Sequence, residues 1–418
     1  MKNTVGLSLP EYSFNNSHKA LIVGAGLAGC AIAKALAQRG YRCVLFDQHT
    51  SLAAGASALP AAVIRPAISG DAFYSNYFNH AFDLCCSTFT ETLFNQCGAL
   101  ELTQDSSCNH IESNSNKHIT DFLSAGQASD VAGTELNNSA LHIRNAGVVV
   151  PRQVCAEWIQ HPSIVFQPGT RVSKLNKTEY GWQLISEKQT IIDESQLIIL
   201  ATAAATTQFN VTSEMPLQHV TGQIDRFEYS GPALRCVINS RGYLAPDTHG
   251  NADRNAQGVW CGATHHREVK NISVTDVDSA ANRSTAATIA PQLATDAIPT
   301  TRFAEARTFT PDRLPVAGAA PDVNRYRLDY ADLKHGKPPD SFPPPAFHHG
   351  VYLAAGLGSR GATQALLVGE MLAGLVAGNL IANNHSTPLN DSNHSLNQDF
   401  YQRLHPARFL LRALRRGA

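Results

Sequence analysis

The sequence predicts an α/β chain, α+β overall: a doubly wound, mostly parallel sheet with a smaller antiparallel-sheet domain inserted into it. Three observations carry that class. Residues 20–47, ALIVGAGLAGCAIAKALAQRGYRCVLFD, read as strand, glycine turn, helix and strand. Residues 350–378 repeat the strand, glycine turn and alanine-leucine helix near the other end of the chain. Between them, strand-like runs at 220–227, 236–238, 242–244 and 259–263 have the short spacing of antiparallel neighbours.

The opening unit is the most informative. The apolar run at 20–23 suits a parallel strand buried on both faces, and it stops at Gly24, Gly26 and Gly29. In a G-x-G-x-x-G turn the first glycine bends the chain, the second admits a pyrophosphate to the backbone, and the third lets the helix pack on the strand. With the intervening Ala25, Leu27 and Ala28, this turn leads into a helix whose free N–H groups and dipole favour negative charge. A second strand rises at 41–46 and ends in Asp47, placed to accept hydrogen bonds from an adenosine ribose. The pattern predicts a bound dinucleotide; FAD and NAD satisfy it equally.

Composition narrows the class. A chain of 418 residues is long enough for two domains, and 43% hydrophobic against 16% charged residues excludes intrinsic disorder. With 33 basic and 34 acidic residues, any nucleic-acid contact must be a local patch. The nine cysteines show no C-x-x-C pair and are odd in number, as expected of reduced thiols in a cytoplasmic protein. The N-terminus lacks the apolar core of a signal peptide, and the late apolar stretch is interrupted by Ser359, Arg360 and Glu370, so no membrane span is expected.

In chain order, residues 1–18 form a polar lead-in, followed by a dinucleotide-binding domain in three parts, 19–75, 141–215 and 306–385. Residues 76–140 are a helical or irregular segment of a substrate domain, 216–305 its antiparallel sheet, and 386–418 a basic C-terminal helix. Gly55, Ala56 and Ser57 open a small-residue segment suited to close approach of a flat cofactor, or to a plain turn before a helix. Aromatic and aliphatic residues at 73–94 recur at helical spacing, and the Ser/Asn/Asp-rich stretch 105–140 reads as irregular surface. The strand at 197–200 empties into Ala201, Thr202 and Ala203, a second small-residue approach. A polar helix is expected within 276–299, a long proline-bearing loop at 323–350, and a further cofactor contact at Gly356, Gly358, Ser359, Arg360 and Gly361. The tail carries Arg403, Arg408, Arg412, Arg415 and Arg416, a solvated basic face or a phosphate contact. His265–His266 and His348–His349 are neighbours without a carboxylate or cysteine at ligand spacing, so no metal is expected.

These motifs together resemble the D-amino acid oxidase-like FAD-dependent oxidoreductases. Within them, GAS at 55–57, LQHVTGQI at 217–224, GYLAP at 242–246, GATHHR at 262–267, RTFTPDRLPVAG at 307–318 and LAAGLGSRG at 353–361 are similar to the FAD-dependent C-terminal part of the MnmC family of tRNA-modifying proteins. The resemblance runs from residue 20 into the arginine-rich tail. There are departures: Leu59, Pro60, Ala61 and Ala62 stand where the family commonly has an asparagine and a glycine after GAS, and Thr310, Pro311 and Asp312 replace a TRD segment.

The resemblance implies a Rossmann-like FAD-binding domain and FAD-dependent oxidation of a secondary amine, that of 5-carboxymethylaminomethyl(-2-thio)uridine at the tRNA wobble position. The products would be the 5-aminomethyl base and glyoxylate, with molecular oxygen as the electron acceptor. It also implies that the methyl transfer of the next step falls to a separate methyltransferase, since the chain shows no such domain. Arg307 of RTFTPDRLPVAG matches the position of a substrate-carboxylate clamp, where a guanidinium offers a bidentate fork. Tyr243 of GYLAP would be its hydroxyl partner, and His266 would flank the site or touch tRNA. Two alternatives share most of these motifs: a glycine- or sarcosine-type small amino-acid oxidase, and a tRNA-binding flavoprotein without oxidase activity.

Overall fold

In a computed structural model of the chain, residues 5–7, 18–103, 117–229, 232–247, 257–267, 272–293, 299–378 and 393–417 are described. Short β-branched runs and alanine-rich helices build the first layer. Its six strands lie in the order Val316–Pro321, Phe347–Ala355, Leu197–Leu200, Lys19–Val23, Arg42–Phe46 and Ile164–Gln167. Neighbours are parallel throughout except at the edge, where Val316–Pro321 runs antiparallel to Phe347–Ala355. Leu197–Leu200 is buried along its whole length, which is why it reads as an unbroken apolar run rather than an alternating one. The helix Leu27–Ala37 joins Lys19–Val23 to Arg42–Phe46, while Leu197–Leu200 lies on the other side of Lys19–Val23. The strand order therefore reverses at Lys19–Val23, where open α/β sheets receive their ligands.

The second layer is an eight-stranded sheet: Thr301–Phe309, Gln218–Tyr229, Gln257–Gly262, Tyr243–Pro246, Val237–Asn239, Ala99–Leu102, Ala140–Ile143 and Asp121–Leu123. All its pairs are antiparallel except Val237–Asn239 with Ala99–Leu102. The helix Asp276–Ile289, capped by the Thr275 side chain, is fastened to this sheet by polar groups. Asp225, fully buried, accepts from Gln223 and Ser279 at 2.9 Å and from Asn282 at 2.5 Å. A buried carboxylate is tolerable only when satisfied in this way, and the result is a fixed seat for the helix.

Four segments differ from the sequence expectations. The single basic helix expected over 386–418 is two helices, Asn393–Leu404 and Arg408–Arg415, parted at residues 405–407, where Pro406 has no N–H to continue the ladder. The expected helical or irregular stretch 76–140 supplies three strands of the large sheet, Ala99–Leu102, Asp121–Leu123 and Ala140–Ile143, besides the helix Ala72–Thr88. Part of the Ser/Asn-rich 105–140 is a helix, Ala125–Ala132, closed by a Ser124–Gln127 capping box. Serine there marks an N-terminus rather than a loop, because its side chain satisfies an orphan N–H. The expected loop 323–350 begins with a helix, Val323–Asp329, whose N-cap is Asp322, and continues in short 3-10 turns. Its buried Tyr326 and Tyr330 pack with Phe342 and Leu411, so tertiary burial overrides the prolines. Most of the polar lead-in, 104–116 and 379–392 lie outside the described residues. Among the described residues no helix is long and apolar enough to cross a membrane.

Candidate active site

The glycine turn is built by close backbone approach. Gly24 has φ +104°, and its N–H donates to Phe46 O at 2.7 Å, tying the turn to the second strand. A Cβ on Gly29 would overlap the Gly24 carbonyl oxygen, so only glycine lets the helix start this close to the strand. Asp47 braces the same turn: its Oδ2 accepts from Ala25 N at 2.8 Å and its Oδ1 from His49 N at 2.9 Å. The first turn of Leu27–Ala37 contains no acidic side chain and no side-chain cap at Gly26; Ser57 Oγ, brought in from Ala56–Ala58, accepts from Leu27 N at 3.1 Å. A helix N-terminus left free of carboxylates and fronted by small residues fits a pyrophosphate.

From this turn a cavity of about 380 Å³ runs between the two sheets. One wall is Gly26, Leu27, Ala28, Ala56 and Ser57, with Ala201 at the end of Leu197–Leu200. Another is Gly356, Gly358, Ser359, Arg360 and Gly361, the second glycine turn. The large sheet closes it with Tyr243, Arg307 and Asn239. Gly24, Ala25, Gly29 and Asp47 lie outside the lining and shape the turn, and Gly55, also outside it, precedes Ala56 and Ser57, which line the cavity. Gly24, Ala25 and Gly29 are thus part of the scaffold under the helix N-terminus rather than of the open cavity.

The polar groups facing the cavity are few and distinct. Arg307 donates from Nη2 to Thr264 O at 3.2 Å, and no carboxylate partner for it occurs among the described residues. Its guanidinium lies across Gly222, where a Cβ would collide with it. Burial lowers its pKa from the ordinary value, with the adjacent Tyr243 opposing, and it stays a cation at neutral pH. Burial pushes the Tyr243 hydroxyl above its ordinary range, with Arg307 pulling the other way, so it is a neutral O–H donor. Arg360 is brought down to about 10, first by burial and then by Arg65; it lies over the Phe78 ring at 5.2 Å and donates to Pro66 O at 3.1 Å.

His266 points elsewhere. Its Nε2 stands 2.6 Å from Asp278 Oδ1, at the start of Asp276–Ile289, and it does not line the cavity. Its neighbour His265 does, with Nδ1 2.9 Å from Ala263 O. Desolvation, then the Arg307 charge, lowers the His265 pKa from its ordinary value and favours the neutral imidazole. The alternation of a strand end decides between two adjacent histidines, and nothing in the dipeptide itself does. Asn239 was not signalled by any motif: it is 7% exposed, lines the cavity, and its Nδ2 has no hydrogen-bond partner. It pairs in register with Tyr243 across a hairpin, a relation that pairing alone establishes. Arg65, within the small-residue segment, also lines the cavity and reaches Glu101 Oε2 at 3.1 Å.

A family model described as FAD-dependent oxidoreductase (DAO) matches residues 19–375. The tRNA 5-methylaminomethyl-2-thiouridine biosynthesis bifunctional protein MnmC of Pseudomonas syringae pv. syringae (strain B728a) is 30% identical over 96% of this chain and 60% of its own length. The protein of the same name from Methylobacillus flagellatus is 29% identical, over 88% of this chain and 57% of its own. The chain thus spans about 60% of the length of such curated relatives. Among solved structures, glycine oxidase from Geobacillus kaustophilus superposes with TM-score 0.67 at 18% identity, covering 91% of this chain and 98% of that one. Iminodiacetate oxidase from Chelativorans sp. BNC1 gives 0.65 at 22%, covering 89% and 97%. At these identities the two structures establish the fold.

Proposed function

The chain belongs to the DAO family of FAD-dependent oxidoreductases, and from that premise we propose that it removes the carboxymethyl group from 5-carboxymethylaminomethyl(-2-thio)uridine at the tRNA wobble position. The C–H bond of the carboxymethyl methylene breaks, its hydride and one N–H proton leave, and water hydrolyses the resulting imine to the 5-aminomethyl base and glyoxylate. Bound FAD supplies the two-electron acceptor for that hydride, and molecular oxygen is the proposed oxidant that returns it to service. The pyrophosphate would rest at the Gly26–Ala28 end of the helix and the ring system along the cavity toward the second glycine turn. A separate methyltransferase activity would complete the modification, and the compartment is the cytoplasm.

One observation carries the reading: a partly buried guanidinium, Arg307, without a carboxylate partner among the described residues, beside a neutral hydroxyl, in the same cavity as the cofactor turn. A buried cation of this kind calls for an anion, and a substrate carboxylate supplies it through two parallel N–H···O bonds. Tyr243 adds an O–H to the same carboxylate, fixing the methylene so that orientation does most of the work. His265, held neutral with Nδ1–H on Ala263 O, leaves Nε2 free to take the amine proton at the rim. The tRNA part of the proposal is supported by relatives named for a tRNA modification.

The test is an anaerobic absorbance titration of the FAD-loaded protein with tRNA bearing carboxymethylaminomethyluridine, with glycine and sarcosine in parallel. Bleaching by the tRNA, with glyoxylate released, is expected. Bleaching only by glycine or sarcosine would replace this function with a small amino-acid oxidase. Tight tRNA binding without bleaching by any of the three would leave a binding protein.

A further inference from the structure

Beyond the active cavity lies a second cleft, of about 300 Å³, formed where the C-terminal helices meet the start of Ala72–Thr88. Four arginines line it, Arg403, Arg408, Arg412 and Arg415, against two aspartates, Asp71 and Asp312. We propose that this cleft seats a backbone phosphate of the RNA strand whose modified base enters the active cavity; the proposal rests on the tRNA-oxidase reading and names the surface that would hold that substrate.

Both aspartates are already engaged. Asp312 receives a two-pronged contact from Arg408, Nε to Oδ2 and Nη2 to Oδ1, each at 2.9 Å, and Asp71 Oδ1 accepts from Tyr74 N at 2.9 Å as a helix cap. Arg408 is thereby a structural cation, 8% exposed, while Arg412 is half exposed and only 3.9 Å from the far oxygen of Asp312. Arg408, Arg412 and Arg415 stand at i, i+4 and i+7 of the helix Arg408–Arg415, so they form one stripe. Arg403, from Asn393–Leu404, is laid over the Phe73 ring at 4.8 Å, an aromatic-cation pair suited to a nucleotide. Residues 401–418 contain no acid, in a chain whose net charge is −1. The positive charge is therefore local, as a phosphate site requires and a free amino acid does not.

The cleft also adjoins the chemistry. Tyr74 lines it and is at the same time an electrostatic partner of Arg360, which lines the active cavity. On the same helix the Phe78 ring packs 4.6 Å from that of Tyr74 and carries Arg360 at 5.2 Å, so Ala72–Thr88 links Arg403, over Phe73 at the cleft, to Arg360, which lines the active cavity. A polynucleotide that presents one base to the cavity passes its backbone beside this helix.

The experiment uses the full chain loaded with FAD and the double variant Arg403→Ala/Arg412→Ala, with Lys188→Ala, an exposed charge far along the sequence, as control. Binding of the modified tRNA is followed by fluorescence anisotropy across a salt series, and its oxidation by kcat and KM. Losing two phosphate-facing cations is expected to raise KM and Kd about tenfold and to flatten the salt slope by about 1–2. The change falls on KM rather than kcat, and Arg403→Lys/Arg412→Lys recovers most of it because a phosphate also accepts a point charge. An unchanged slope and KM in the alanine variant, or an equal loss in Lys188→Ala, overturns the cleft while leaving the oxidase standing. RNA binding that weakens in the variant without any oxidation by the unmodified protein keeps the cleft and overturns the oxidase. No RNA binding at all overturns both.

Discussion

At the scale of single residues, the proposed function turns on Arg307. Its charge is held in a partly desolvated site by one backbone carbonyl, so its principal partner is to be brought by the ligand. Arg307→Ala should lower kcat/KM for a carboxylate-bearing amine by roughly 30- to 150-fold, the equivalent of about 2–3 kcal/mol for a charge-assisted hydrogen-bonded contact. Steady-state kinetics with substrate and with its amide or decarboxylated analogue check it: the analogue should be insensitive to the substitution. His266→Ala, by contrast, should leave that ratio nearly untouched and instead loosen the start of Asp276–Ile289, because His266 is spent on Asp278. Arg307 was legible through its motif, whereas the choice between His265 and His266 and the orphan amide of Asn239 were not. Those depend on which way a side chain leaves its strand and on who stands opposite.

At the scale of elements, one contact holds the glycine turn and another the C-terminal helix. Gly29→Ala would drive a methyl into the Gly24 carbonyl, forcing the helix Leu27–Ala37 away from its strand. The expected outcome is a folded protein purified with little flavin, read from the ratio of flavin to protein absorbance. The second contact is Asp312 with Arg408, which pins the C-terminal helix to the segment following Arg307. Burial acts to raise the Asp312 pKa, but the Arg408 hydrogen bonds and charge outweigh it and hold the carboxyl below its ordinary value. Asp312→Ala leaves a buried guanidinium unpaired and should destabilise the fold by about 3 kcal/mol, seen in urea denaturation. The sequence placed five arginines in this tail, but only packing separates Arg408, which is a fastening, from Arg403 and Arg412, which face a cleft.

For the whole molecule, acid sensitivity is built into the seam between the C-terminal helices and the first sheet. His405 is 2% exposed, and burial, then the nearby Arg408 charge, push its pKa down to about 3 from an ordinary 6.5. Between those two values the unfolded chain binds a proton there that the folded chain does not, so stability is full above 6.5 and falls as pH drops toward 3. His405→Asn, which keeps an acceptor for the Ala407 N–H, should flatten that fall by up to about 1.4 kcal/mol per pH unit in thermal or urea melts. If wild type and variant lost stability in parallel from pH 6 to pH 4, roughly the range over which this site is half-titrated or more in the unfolded chain, His405 would not be the responsible group.

The sequence by itself determined the dinucleotide turn, the parallel sheet around it and the second glycine turn, while the resemblance to a family singled out Arg307 and Tyr243, both of which line the cavity. These are local: a glycine without room for a Cβ, an apolar run with no polar face, or a short motif carries its own reason. Only the tertiary structure decided that residues 99–102, 121–123 and 140–143 complete the large sheet, that His265 faces the cavity in place of His266, that Asn239 stands opposite Tyr243, and that Arg408 is buried. Each of these is settled by a partner far away in sequence, through strand register, side-chain alternation or an ion pair, and no local pattern encodes a partner that only folding brings near.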